Sequence, residues 1–171
     1  RPGGPDLADL LAAVAKTPGL RRLRFITSHP ADMNDRILGA IAAEPLACPY
    51  LHLPAQSGSD AVLRRMGRRH TAADYRALVE KARRLIPGAE VASDFIVGFP
   101  GETEADFEAT ASLVGEVGFQ TAYVFKYSPR PGTSAEKLPD DVPDEKKRER
   151  NRRLLEIQER TALARNRALA G

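Results

Sequence analysis

Asp94 stands at the opening of an apolar run, SDFIVGF (93–99), and the run closes on Gly98, Pro100, Gly101 and Glu102. A strand built only for a core needs neither the aspartate nor the glycine. A carboxylate placed inside a strand needs a partner or a cavity: an ion pair inside a barrel, or a contact to a bound molecule. Other apolar runs end the same way. LRFITS (23–28) runs into Thr27, Ser28, His29 and Pro30. PYLHLP (49–54) runs into Gln56, Ser57, Gly58, Ser59 and Asp60, and FQTAYVFKYS (119–128) into Lys126, Tyr127, Ser128, Arg130 and Gly132. Each group also has a plainer reading. Gln56 to Asp60 makes a turn and a helix cap, and Glu102 sits in a first helical turn where the dipole favours a carboxylate. His29 is a turn residue, and RRMGRRH (64–70) is a solvated helix end. Phosphate loops of the GxxxxGK[ST] or GxGxxG form are absent, as are HExxH and GxSxG. A hydrolase triad would need Ser57 or Ser59 and a distant histidine, which is a weak arrangement.

The elements that must position these groups alternate. Helical patterns cover 6–16, 31–44, 60–66, 71–85, 104–117 and the stretch from 145 to the end, with four short apolar strands between them. Thr71 with Asp74 predicts a capped start. The last helix carries a stripe of Leu154, Ile157, Thr161, Ala164 and Ala168. The order βαβαβαβα, with strands lacking polar alternation, predicts a parallel sheet covered by helices. Four β/α units make a partial barrel or an open doubly wound sheet, and ligands of such sheets bind at the carboxyl ends of the strands. All four polar groups therefore fall on one rim.

Composition sets the outer bounds. The chain has 171 residues, 42% hydrophobic and 29% charged, enough for one sizeable core. No run reaches the roughly 18 apolar residues of a membrane span, and the opening residues lack the pattern of a signal peptide. The chain starts without Met and reads as a piece of a longer one. Cys48 is the single cysteine. It fits a reducing compartment, fits the role of a small buried hydrophobe, and offers no thiolate cage for zinc or an iron–sulfur cluster. The net charge of +3 is uneven, because residues 145–167 hold nine Lys/Arg against four Glu. A basic surface helix is compatible with nucleic acid without establishing it.

The phrases FITSHP (25–30), YLHLPAQSGSDAVLRRMGRRHT (50–71), SDFIVGFPGETEADFE (93–108) and FKYSPRPGTSA (125–135) stand in the order and spacing of one family. The chain resembles the MiaB-type methylthiotransferases of the radical S-adenosylmethionine superfamily, from about Leu23 to Gln158. The resemblance implies part of a six-stranded, TIM-like β/α barrel, with about four units present as a single domain over 1–171. Residues 1–144 would supply the β/α units, and 145–171 a basic helix leading towards a C-terminal RNA-binding domain. It implies S-adenosylmethionine as cofactor, with [4Fe–4S] clusters on cysteines this chain lacks, so the fragment alone should be inactive. The implied reaction is addition of a methylthio group to C2 of isopentenyl-adenosine beside the anticodon of tRNA, started by a 5′-deoxyadenosyl radical. The threonylcarbamoyl-adenosine branch is the alternative, and a non-catalytic RNA-binding module the reading outside enzymes.

Carried over position by position, the resemblance implies cofactor contacts at Gln56, Ser57, Arg68, Asp94, Ile96, Gly98 and Phe125, with Ser59 as a further one. Arg68 would take a carboxylate, Asp94 a hydroxyl or ammonium, Ile96 and Gly98 the adenine, and the strand end at Phe125 the adenine edge. The family's glutamate falls one position later here, at Glu102, which leaves its role open. Arg130, Lys146, Arg150 and Arg153 would contact the tRNA backbone. The implied partners are tRNA and the proteins that supply clusters and electrons. A cytoplasmic monomer without membrane contact completes the expectation.

Overall fold

The computed structural model describes residues 4–26 and 29–169. Three parallel strands form one sheet in the order β1 (Tyr50–His52), β2 (Glu90–Val97), β3 (Thr121–Lys126). Tyr50 pairs with Glu90, and Ala92 to Val97 pair with Thr121 to Lys126. Among the described residues the α-helices are α1 (Leu7–Ala15), α2 (Asp35–Ala43), α3 (Asp60–Arg65), α4 (Ala72–Leu85), α5 (Glu104–Val117) and α6 (Asp144–Leu169). The result is the expected α/β partial barrel, open on one side.

The local starts follow from side-chain chemistry. Asp6, Thr71 and Thr103 each close a capping box with an aspartate three residues on, which satisfies two otherwise orphaned N–H groups. Helix α2 begins later than the expected 31, because Pro30–Asp32 forms a separate 3₁₀ turn and the Asn34 side chain caps Ile37. The expected strand at 23–28 is reduced to one bridge, Leu23 to Ala47. The next donor on that edge, the Tyr50 N–H, turns back to the Cys48 carbonyl at 2.7 Å, so the ladder does not continue. Thr27 and Ser28 lie outside the described residues.

The sheet has two unlike faces. Val91, Ser93, Phe95 and Val97 point into the helix layer and are buried, with Phe95 against Phe119 in a T-shaped pair 5.4 Å apart. Tyr75 of α4 joins them and donates its hydroxyl to the Leu53 carbonyl at 2.7 Å. The alternate residues leave the other face open: Tyr123 is 48% and Phe125 54% exposed, and Asp94 and Ile96 are partly exposed. This open face is the inside of the partial barrel.

Helix α6 fastens the structure on the closed side. Its contact surface differs from the expected apolar stripe. Leu154 is fully buried and Ile157 packs on the core, but Ala164 is exposed, and the Ala168 side chain lies outside the described residues. Polar side chains fill the remaining contact positions by reaching backbone carbonyls. Asn151 bonds Val124, Gln158 bonds Phe119, and Arg165 bonds both Gly118 and the Glu90 carboxylate. Long polar stems bury their methylenes while their heads find acceptors, so the packed stripe is wider than its apolar residues reveal.

Candidate functional site

The rim at the carboxyl ends of the strands is built from backbone first. Gln56 follows β1 and extends the sheet by a single parallel bridge to Phe95. Its N–H donates to Asp94 at 2.8 Å, and its carbonyl accepts from Ile96 at 2.9 Å. It is held at φ +70°, the one non-glycine residue at positive φ among those described. That conformation costs about 1–2 kcal/mol for a residue with a Cβ and persists where the surroundings over-determine it, commonly at ligand sites. The structure thus joins Gln56, Asp94 and Ile96 in one hydrogen-bonded unit, with Phe125 paired to Ile96 on the next strand.

Arg68 follows α3 and Gly67, and its N–H donates back to Leu63 at 2.9 Å. Its guanidinium is partly buried, and among the described residues no carboxylate pairs with it. Its Nε is buried without an acceptor. Burial alone holds this guanidinium below its usual pKa. The planar fork of an arginine in that state suits a carboxylate. Two imidazoles stand beside it. His29 and His70 meet edge to face at 5.2 Å, and His70 Nε2 lies 3.3 Å from the carbonyl of Ala55. Burial first, and then the Arg68 charge among other causes, lowers both histidines' pKa. RRMGRRH is therefore not simply a solvated helix end: Arg68 is partly buried and His70 is buried.

Ser57 and Ser59 belong to packing rather than to the open face. Ser57 is buried, its hydroxyl 3.1 Å from that of Thr110 on α5, and Ser59 caps α3 and donates to Asp106 at 2.5 Å. Gly58 lies between them because α5 passes directly over it. A Cβ there would stand 2.7 Å from the Thr110 Cα. The small residues of QSGSD are thus what a close helix contact requires.

Gly98 also differs from the expected close approach of adenine. The space a side chain would take is filled by the methylenes of Lys147, whose Nζ pairs with Asp140 at 2.5 Å. The Gly98 N–H donates to Glu102 at 2.6 Å, and Glu102 pairs with Arg150 at 2.8 Å. Burial pushes the Glu102 carboxyl up, while the Gly98 N–H and Arg150 pull it back. The open question about Glu102 is answered structurally: it ties the loop after β2 to α6. Arg150 is accordingly corrected from a tRNA contact to a buried strut, 4% exposed, bonded also to Glu104. Arg153 pairs with Glu108 and Lys146 with Glu149 at the surface, and such pairs are weak enough to yield to a phosphate. Arg130 is exposed with no ion-pair partner among the described residues.

His52 was not anticipated as a site residue. It stands on the open face 3.1 Å from Asp94. The signal was present in YLHL, where a polar residue alternates with the buried Leu51 and Leu53. Among the described residues no cluster of three or more His, Cys, Asp or Glu could hold a metal, and Cys48 is a lone, partly buried thiol. These residues therefore do not provide a cluster site. The fit to S-adenosylmethionine is better, since an unpaired guanidinium, a carboxylate and an open apolar surface match its charged and aromatic parts. No helix among the described residues is long and apolar enough to cross a membrane.

Residues 1–114 match the model of the radical SAM superfamily. The chain is 49% identical over 166 residues to tRNA-2-methylthio-N(6)-dimethylallyladenosine synthase of Magnetococcus marinus, covering 97% of this chain and 38% of that relative. It is 51% identical to the protein of the same name from Thermus thermophilus, covering 97% of this chain and 36% of the relative. The chain thus spans well under half the length of these curated relatives. Among solved structures, coproporphyrinogen III oxidase of Escherichia coli, described as a radical SAM enzyme, superposes with a TM-score of 0.61 at 22% identity over 79% of this chain and 30% of that one. That likeness concerns the fold.

Proposed function

The chain belongs to the radical SAM superfamily, and from that premise we propose that it is the cofactor-facing part of a tRNA methylthiotransferase acting on dimethylallyl-adenosine. The observation that carries the reading is kinship running through 97% of the chain to two enzymes named for that reaction. The rim adds physical support. Arg68 would hold the carboxylate of S-adenosylmethionine, Asp94 would accept from its ammonium or ribose hydroxyls, and Gln56 would orient the polar end. Ile96 and Phe125 would flank the adenine. When bound beside a reduced cluster, the cofactor supplies the radical that opens an inert C–H bond. The ligands of that cluster would come from sequence outside this chain. The residues here bind, orient and exclude water.

Arg130, Lys146 and Arg153 would meet the tRNA backbone. The enzyme would work in the cytoplasm, where tRNA and cluster-assembly and reductant proteins are at hand. The test is the complete protein, prepared anaerobically and assayed for iron, labile sulfide and methylthiolation of dimethylallyl-adenosine in tRNA. Two clusters, or about eight irons per chain, and product formation are expected. Product on threonylcarbamoyl-adenosine instead would overturn the choice of substrate. Absence of iron and of cofactor cleavage would overturn the enzymatic reading.

A further inference from the structure

The open face carries one polar contact that the rim does not explain. His52, Asp94 and Tyr123 come from three successive strands and stand side by side. His52 is in register with Ala92, two residues before Asp94, and Asp94 is in register with Tyr123. The His52 Nε2 lies 3.1 Å from Asp94 Oδ2, with side-chain exposures of 18% and 27%. The ring of Tyr123 is tilted over the imidazole with centroids 6.0 Å apart. That same Nε2 is buried and has no other partner among the described residues, and its approach to Oδ2 is off the line of a full hydrogen bond. His52 also lines a cavity of about 550 Å³ with Arg24, Phe25, Ile26, Tyr50 and Tyr123. Arg24, which lies over the Tyr50 ring at 4.0 Å, is a donor and offers His52 no acceptor, so Asp94 is the acceptor that His52 faces.

We infer that His52 is a positioning residue for Asp94, holding Oδ2 from the layer beneath so that Oδ1 remains the acceptor for the donor groups of S-adenosylmethionine. A carboxylate on a strand swings about χ1 and χ2. A polar contact on one oxygen narrows that freedom before the ligand arrives, which is preorganisation. The imidazole also places a donor where the carboxylate would otherwise face an apolar layer, which an unpaired charge does not tolerate. Tyr123 limits the ring's movement on the far side. This inference rests on the reading that Asp94 faces the cofactor.

The experiment is equilibrium binding of S-adenosylmethionine to the complete, cluster-loaded protein, with thermal unfolding as a check on the fold. His52→Leu removes the donor, whereas His52→Gln keeps an N–H near the position of Nε2. About a tenfold weaker Kd is expected for His52→Leu, with His52→Gln within threefold of the parent. In an Asp94→Asn background the His52→Leu change should add nothing, as a double-mutant cycle requires for a coupled pair. A His52→Leu variant that binds like the parent overturns the inference alone. So does a tenfold loss that persists in the Asp94→Asn background. Unchanged binding by Asp94→Asn overturns both the role given to Asp94 and the inference built on it, and a parent that binds no S-adenosylmethionine overturns the proposed function with them.

Discussion

Replacing Arg150 by Met tests the claim that α6 is fastened to the loop after β2 by charge. The Glu102 side chain is fully buried and that of Arg150 is 5% exposed, with 2.8 Å between them. Arg150 also donates to the Glu102 carbonyl at 3.1 Å. Removing one partner of such a pair strands the other in a poor solvent, at a cost of about 3–5 kcal/mol. The loss should depend on pH in a defined direction. Burial is the main cause that raises the Glu102 carboxyl, and Arg150 is one of the groups pulling it back. Without Arg150 the folded-state pKa rises further. A raised carboxyl contributes stability fully present below its unfolded value, and that stability is lost as pH rises through the folded value. The gap between parent and variant in urea unfolding should therefore be widest near pH 7 and narrow towards pH 5. Carboxylates that both proteins share, such as Asp74 and Asp106, shift both curves alike and cancel in the difference. The double variant Glu102→Gln with Arg150→Met keeps an acceptor for the Gly98 N–H but removes the stranded charge. It should be more stable than Arg150→Met alone at pH 7, and its own stability should lose the pH dependence that the raised Glu102 carboxyl contributes. A gap below about 1 kcal/mol, or one equal at pH 5 and pH 7, would refute the reasoning.

Gly58→Ala should destabilise by about 1–3 kcal/mol or more, because its Cβ would press on the backbone of Ala109 and Thr110; a melting point equal to the parent's would contradict the close contact. Tyr75→Phe should cost about 1–3 kcal/mol through the buried Leu53 carbonyl it leaves unpaired, readable in the same urea titration. Arg68→Met should leave the unfolding free energy unchanged or slightly higher, since burial opposes this charge, while weakening S-adenosylmethionine binding by tenfold or more; a large loss of stability would mean that the guanidinium has a structural partner.

Much of the fold was legible because its signals are local. Thr71 with Asp74 fixes a helix start within the sequence itself. The uniformly apolar runs gave the parallel sheet, and the polar residues after them gave the rim. What failed to show was set by contacts far apart in sequence. Nothing near Ser57 reveals that Thr110 lies against it, and nothing near Gly98 reveals that Lys147 fills its missing side chain. Arg150 looked like one cation among nine, because its burial depends on a glutamate 48 positions earlier. The strand at 23–28 was overstated because its apolar composition was visible and its missing ladder partner was not. His52 was passed over for the opposite reason. Its alternation was readable, but only the sheet register puts it beside Asp94.

The fastening of α6 also has a consequence in time. Glu102 waits 48 positions for Arg150, and Glu90 waits 75 for Arg165. At synthesis rates of about 5–20 residues per second, the second interval is about 4–15 s. During those seconds a nascent chain holds β2 and its loop with one charged anchor unmet and the edge of the helix layer uncovered. The loop after β2, on the rim side, is therefore fastened only once Arg150 has been made, and α6, whose Lys147 also fills the space at Gly98, decides when it is.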